Sequence, residues 1–210
     1  MGIYATKPEN TEFAKVEPGT YMARCYSMIE IGHVEEEYKG QMKNVHKVIL
    51  SWELPDELAV FKEDRGPEPY VVSKKYTLSM SEKANLRKDL EGWRGKAFTE
   101  LEAARFDITK LLGVPCILSI IHEVSKTDPN KTYVKVQSIS KLMKNQECTP
   151  QVNPTRVLSY DNWSWDVFNS LSEYTKEQIK KSDEFKALQE PATVHAQEGE
   201  NNGAADDLPF

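Results

Sequence analysis

The residues best suited to chemistry lie at the end of the chain and in two basic stretches of its body. The last five residues, Asp206-Asp207-Leu208-Pro209-Phe210, place two acids before an aliphatic residue, a proline and a phenylalanine. This combination reads as a portable ligand. Phe210 can fill an apolar pocket, its carboxylate and the two Asp side chains can meet basic groups, and Pro209 lowers the ordering cost. In the body, Lys74, Lys75, Lys83, Arg87 and Lys88 oppose only Glu82 between residues 74 and 88, and Lys126, Lys131, Lys135, Lys141 and Lys144 oppose only Asp128 between 126 and 144. Strand alternation in the second stretch sets Val134 and Val136 on one face and Tyr133, Lys135 and Gln137 on the other. An aromatic ring between lysines suits sequence-tolerant binding of a single strand, because every base offers a face to stack on and every nucleotide a phosphate to neutralise. Tyr26 shares a face with Arg24 and Tyr76 with Lys74, which makes these four further candidates for a groove.

Catalytic chemistry is poorly provided for. His33, His46, His122 and His195 show no metal-ligand spacing, so no metal is expected, and no GxxxxGK[ST] or GxGxxG phosphate loop is present. The run Glu35-Glu36-Glu37 reads as a solvated loop. A metal-nuclease reading of Pro55-Asp56 with Glu184-Phe185-Lys186 fails on placement, since the second group falls on a helix rather than on a strand beside the acid. The start Met1-Gly2-x-x-x-Thr6 matches the myristoylation pattern, with nothing else pointing to a membrane. The reading is of a binding protein, not an enzyme, with no cofactor.

The elements that must position these residues follow from the hydrophobic periodicity. Strands are expected at Gly19 to Ile31, Val45 to Leu54 and Tyr70 to Ser79, with the loop GHVEEEYKGQMKN between the first two. The period then changes. A helix capped by Ser81 runs to Gly95, and a second covers Leu101 to Leu112 before Gly113 and Pro115. Strands return at Cys116 to His122 and Thr132 to Ile139 around Asp128-Pro129-Asn130. Three strands, helix, two strands is the order of the five-stranded OB barrel, and an open α+β sheet is the other fold with this order. Loops 32–44 and 123–131 would then border the groove.

Trp52 shares a face with Val48 and Leu50 and reads as core. Trp93 would pack the helix on the barrel, whereas Trp163 and Trp165 either cap the barrel or cover a groove, and packing is preferred. A helix is expected within Asp166 to Lys186, capped by Ser172 or Thr175, with Ile179 and Phe185 among its contacts. The chain thus divides into an N-terminal arm (1–18), an OB body (19–144), an extension whose helix packs on the body (145–190) and a disordered acidic tail (191–210).

The chain has 210 residues, 39% hydrophobic and 29% charged, enough to bury a core, and no run reaches the length of a membrane span. No signal-peptide pattern opens it. Cys25, Cys116 and Cys148 form no Cys-x-x-Cys pair, so neither a disulfide framework nor a zinc site is indicated and a reducing cytoplasm fits. The net charge is −6. Residues 183–210 hold seven acids against Lys186 alone, which accounts for the whole excess and leaves a neutral body.

Residues 198–210, EGENNGAADDLPF, resemble the acidic tail tip of bacterial and bacteriophage single-stranded DNA-binding proteins. The body, through KYTLSMSEKANLRKDLEGWRGKAF and EYTKEQIKKSDEFK, is similar to phage-encoded members of that group and departs from the shorter bacterial type. The resemblance implies sequence-independent binding and protection of single-stranded DNA during phage replication and recombination, in the host cytoplasm. It also implies recruitment of replication, recombination and repair enzymes through Asp206 to Phe210. Tetrameric assembly does not carry over, though a homo-oligomer is compatible with the reading. A strand-annealing recombination protein and an adaptor that uses only its tail are the alternatives.

Overall fold

The computed structural model describes residues 15–125 and 127–189. It is mainly β, as the periodicity predicts. Strands β1 (Gly19–Tyr38), β2 (Gln41–Ala59) and β3 (Glu68–Thr77) precede helices α1 (Asn85–Arg94) and α2 (Glu100–Ala103) and a 3-10 turn at Ile108–Leu111. Strands β4 (Pro115–Val124), β5 (Thr132–Ser140) and β6 (Arg156–Leu158) follow, and α3 (Trp165–Asn169), α4 (Glu173–Lys180) and α5 (Asp183–Gln189) complete the order. The strands run β3-β2-β1-β4-β5 with antiparallel neighbours, and β6 joins β1 in parallel. Among the described residues the sheet is open, with no hydrogen-bonded ladder from β3 to β5.

β1 is buried on both faces, which explains its nearly continuous apolar run. Ala23, Cys25 and Met28 enter a core with Trp52, Leu118 and the α1 residues Leu86, Leu90 and Trp93. Ile29 and Ile31 enter a second core with Leu158, Phe168, Ile179 and Phe185. A register shift between Cys25 and Ser27 and another between Glu30 and Gly32 allow one strand to serve both. Trp163 stacks on Tyr160 with ring centroids 5.2 Å apart and lies 5.4 Å from Phe168, so it packs the extension, as its preferred reading has it. Trp165 joins the same ring cluster while staying half exposed.

Several expected boundaries are corrected. The loop expected over 32–44 is instead the far half of a β-hairpin, closed by Tyr38↔Gln41 around Lys39 (φ 54) and Gly40 (φ 78). Positive φ at both central residues matches a tight primed turn, in which Gly is the favoured second residue. Within this arm Glu36 faces Lys43 in register and its carboxylate pairs with Lys47, so the acidic run is paired as well as solvated. β2 passes Pro55 through an irregularity between Leu54 and Leu58 rather than stopping there. Ser81 is used in a turn that accepts the Ala84 N–H, and α1 starts later with no side-chain cap. The helix expected over Leu101 to Leu112 breaks because Thr99 and Glu102 close a capping box and Asp107 caps a separate 3-10 turn. The expected single C-terminal helix is three short ones, with Ser172 rather than Thr175 capping α4.

Candidate nucleic-acid interface

Three contiguous hollows run along β2 and β3 and the arm. The most basic has a volume of about 660 Å3 and is walled by Tyr38, Lys43 and Lys47 from the arm, Lys74, Lys75 and Tyr76 from β3, and Lys83 from the loop before α1. Lys47 and Lys75 also line the second, of about 560 Å3, where Met42 and Val34 meet Lys181 and Lys186. Lys75 again borders the third, of about 370 Å3, between the outer face of the sheet (Ile49, Ser51, Ser73) and α4. The three share Lys75, on the outer face of β3, while Lys74 and Tyr76 lie on its core face, so together they form one trough that wraps around the β3 edge of the β2–β3 pair.

Tyr38 is the exposed aromatic of the most basic hollow, as Tyr174 is of the third. Tyr38 is 56% exposed, and the ammonium groups of Lys39 and Lys43 lie 5.4 and 5.1 Å from its ring centroid. Part of the positive charge is already compensated. Lys47 Nζ is 2.6 Å from Glu36 Oε2, and Lys74 Nζ is 2.6 Å from Asp89 Oδ2. Lys75 donates to Gln178 Oε1 at 2.8 Å, a neutral partner that leaves its charge in place.

The candidates read from the sequence divide. Lys74 and Lys75 lie in the trough. Tyr76 does share a face with Lys74, but that face is the core. Although it lines the hollow it is buried, its hydroxyl donates to Asp89 Oδ2 at 2.8 Å, and burial, then Asp89, pushes its pKa up. It is a packing residue, not an exposed stacking surface. Tyr26, at the β1 bulge, lines the third hollow but is likewise buried, with burial raising its pKa against the opposing pull of Arg156, whose guanidinium lies 5.9 Å from its ring. Arg24 is a staple. Its guanidinium donates to the carbonyls of Gly113, Cys148 and Thr149 at 2.7 to 2.8 Å.

The β5 candidates do not line the trough. Tyr133 is 56% exposed, as the alternation predicts, but stands opposite Glu123. Lys135 pairs with Glu123 at 2.8 Å and Lys131 with Asp128 at 3.7 Å. Of the remaining basic residues, Arg87 is buried between Glu91 and Glu100. Lys126 and the partner-binding candidates Asp206, Asp207, Leu208, Pro209 and Phe210 lie outside the described residues.

Sequence reasoning missed the arm, because Tyr38 and Lys43 sit in what reads as an acidic loop and Lys47 near the start of the strand expected over Val45 to Leu54. It also missed a cluster beside the trough. His33 and His46 are directly opposed on β1 and β2, their rings stack at 4.4 Å, and Glu184 of α5 reaches His33. Twelve residues of sequence lie between the two histidines, a spacing that matches no short motif but becomes adjacency once the hairpin forms. Of the residues in the nuclease pairing, Asp56 accepts a hydrogen bond from the Thr149 hydroxyl and Glu184 meets His33. Comparison with protein-family models, curated proteins and solved structures gives no match.

Proposed function

We propose that the protein binds single-stranded DNA without sequence preference, along the trough over β2 and β3. The observation that carries this reading is the convergence of Lys43, Lys47, Lys74, Lys75 and Lys83 with the exposed ring of Tyr38. Lysines would neutralise phosphates while Tyr38 stacks a base. The fold reading is an OB-type barrel. In the strand path only a β3–β5 pairing would close the sheet, and these two strands approach within 8 Å at their Cα atoms. OB folds bind oligonucleotides on the face of strands 2 and 3 and on the loops flanking it, which is where the trough and the arm lie. Asp206 to Phe210 would recruit replication, recombination and repair enzymes, and the host cytoplasm is the compartment that fits this role.

Fluorescence titration with oligo-dT across a salt series tests the reading. Affinity should fall with a log-log slope of about −0.7 per phosphate contacted. Salt-independent binding, or a preference for duplex, would overturn it, and no DNA binding at all would leave the adaptor reading. Acceleration of complementary-strand pairing would instead mark an annealing protein.

A further inference from the structure

We propose that His33, His46 and Glu184 form a binding site for a divalent transition-metal ion, zinc by the character of its ligands, which fastens the arm to the C-terminal helix. The three donor atoms lie within 4.8 Å of one another. A zinc ion with ligands at about 2.0 to 2.1 Å needs donors separated by roughly 3.3 Å, so modest rotations of three side chains complete the site. Two imidazoles and a carboxylate, with a position left for water, suit zinc better than magnesium or calcium, which prefer oxygen.

The site is built by the fold rather than by three surface residues meeting at random. Register opposes His33 to His46 across β1 and β2 with ring centroids 4.4 Å apart, and a shared ion would turn the two stacked rings so that their nitrogens converge on it. Glu184 Oε1 lies 2.5 Å from His33 Nδ1, and Glu184 Oε2 accepts the His33 backbone N–H at 2.7 Å, which holds the carboxylate over the pair. Gly32 permits this approach. Its φ is +95, and a Cβ there would stand 2.5 Å from Glu184 Oε2 and 2.9 Å from Tyr160 and Ser182. On the other side Glu30 Oε1 meets His46 Nε2 at 2.7 Å while Glu30 Oε2 accepts the Tyr160 N–H. Metal-bound histidines characteristically have such a carboxylate on the nitrogen that does not bind metal, where it fixes the tautomer and the ring. Glu30 is thus a positioning residue, and His46 would bind through Nδ1. All three ligands are half-buried, so exchange with solvent remains open. The ion would take the place of the direct contact between His33 and Glu184 and join three segments: the bulge of β1, the arm strand of β2, and α5.

Zinc titration of the full chain by calorimetry, with thermal melting in parallel, tests the site. One ion should bind per chain and raise the melting temperature, because an ion bound only by the folded state stabilises it by mass action. Cobalt should give the intense visible absorption of a tetrahedral nitrogen–oxygen site. His33→Gln, His46→Gln and Glu184→Gln should each abolish that spectrum, with folding of each variant verified by circular dichroism. Glu184→Gln retains an oxygen for the His33 N–H, so α5 stays docked. Glu30→Gln should bind roughly 10- to 100-fold more weakly. His122→Ala and His195→Ala should bind like wild type. Absence of a zinc-dependent melting shift in wild type, or binding lost in His195→Ala and kept in His33→Gln, would overturn the proposal.

Discussion

Arg24 and Glu53 face each other across β1 and β2, and both hold the segment that leads into the extension. Arg24 binds the carbonyls of Cys148 and Thr149, while Glu53, 0% exposed, accepts the N–H groups of Val152 and Asn153 and the Asn153 side-chain amide at 2.6 to 2.7 Å. Two charges on opposed strands thus organise one irregular stretch through its backbone. Glu53→Gln turns an acceptor into a donor facing an N–H, and we expect a loss of about 1 to 3 kcal/mol in chemical denaturation, the cost of a buried polar group left unsatisfied. Arg24→Ala should lower stability and leave DNA affinity of the folded fraction unchanged, in contrast to its expected role in the groove. The stacking residue is testable in the same way. Tyr38→Ala should weaken oligo-dT binding by about 1 to 3 kcal/mol with little change in melting temperature, whereas Tyr76→Phe should alter stability only. Equal DNA affinity for wild type and Tyr38→Ala would remove the arm from the binding surface. The cysteines are packing groups too. Burial, little offset by a contact with the Ser27 carbonyl, pushes the Cys25 thiol up to about 12, and burial raises Cys116 and Cys148 as well. Because the thiolate is the reactive form, alkylation at mildly alkaline pH should be slow in the native protein and rapid after denaturation. Fast native labelling of Cys25 would contradict its burial.

At the scale of elements, the sequence is legible where periodicity is strong and local. The strands around Met28, Leu50, Val72, Leu118 and Val136 stand where alternation places them, and Trp52 and Trp93 meet at 5.9 Å in the core as expected. What eluded reading depends on pairing between distant residues. The arm has few apolar residues, and its strands exist because Glu35, Glu36 and Glu37 find Asn44, Lys43 and Met42 across a tight turn, a register that no window of one strand contains. Alternation also groups residues without saying which face is the core, which is why Tyr76 and Lys74 read as a groove pair. The short helices reflect capping that outweighs propensity. In α2, Glu102 is held at about 2, first by the Arg94 guanidinium and then by the Thr99 N–H. Its folded pKa lies below the unfolded value, so its contribution is present above the ordinary carboxylate range and disappears as pH falls toward 2. Glu102→Gln should therefore lower thermal stability at neutral pH and shrink the difference from wild type in acid. A mutant difference that grows on acidification would show that the Arg94 pairing is not what holds this carboxylate.

For the whole molecule, the decisive property is the separation of charge between a neutral body with a lysine-lined trough and an acidic C-terminal stretch. Residues 198–210 carry Glu198, Glu200, Asp206 and Asp207 and no lysine or arginine. α5 places Asp183 and Lys186 on the rim of a hollow continuous with the trough, so the chain leaves the described residues a few positions beyond the binding surface. Attached to the same molecule, such a stretch would be present at high effective concentration and would compete with DNA for the lysines under the proposed function. Deleting residues 198–210 should tighten oligo-dT binding at low salt, and the gain should fade near about 0.1 M, where the Debye length falls to about 10 Å. Phe210→Ala keeps every side-chain charge, so it should leave DNA affinity unchanged while removing the aromatic anchor that a partner's pocket would hold. The two variants separate competition from recruitment. Deletion without any low-salt gain would mean that the acidic stretch does not visit the trough. Identical sets of replication and repair proteins captured by wild type and Phe210→Ala would mean that the final residues recruit nothing through their aromatic end.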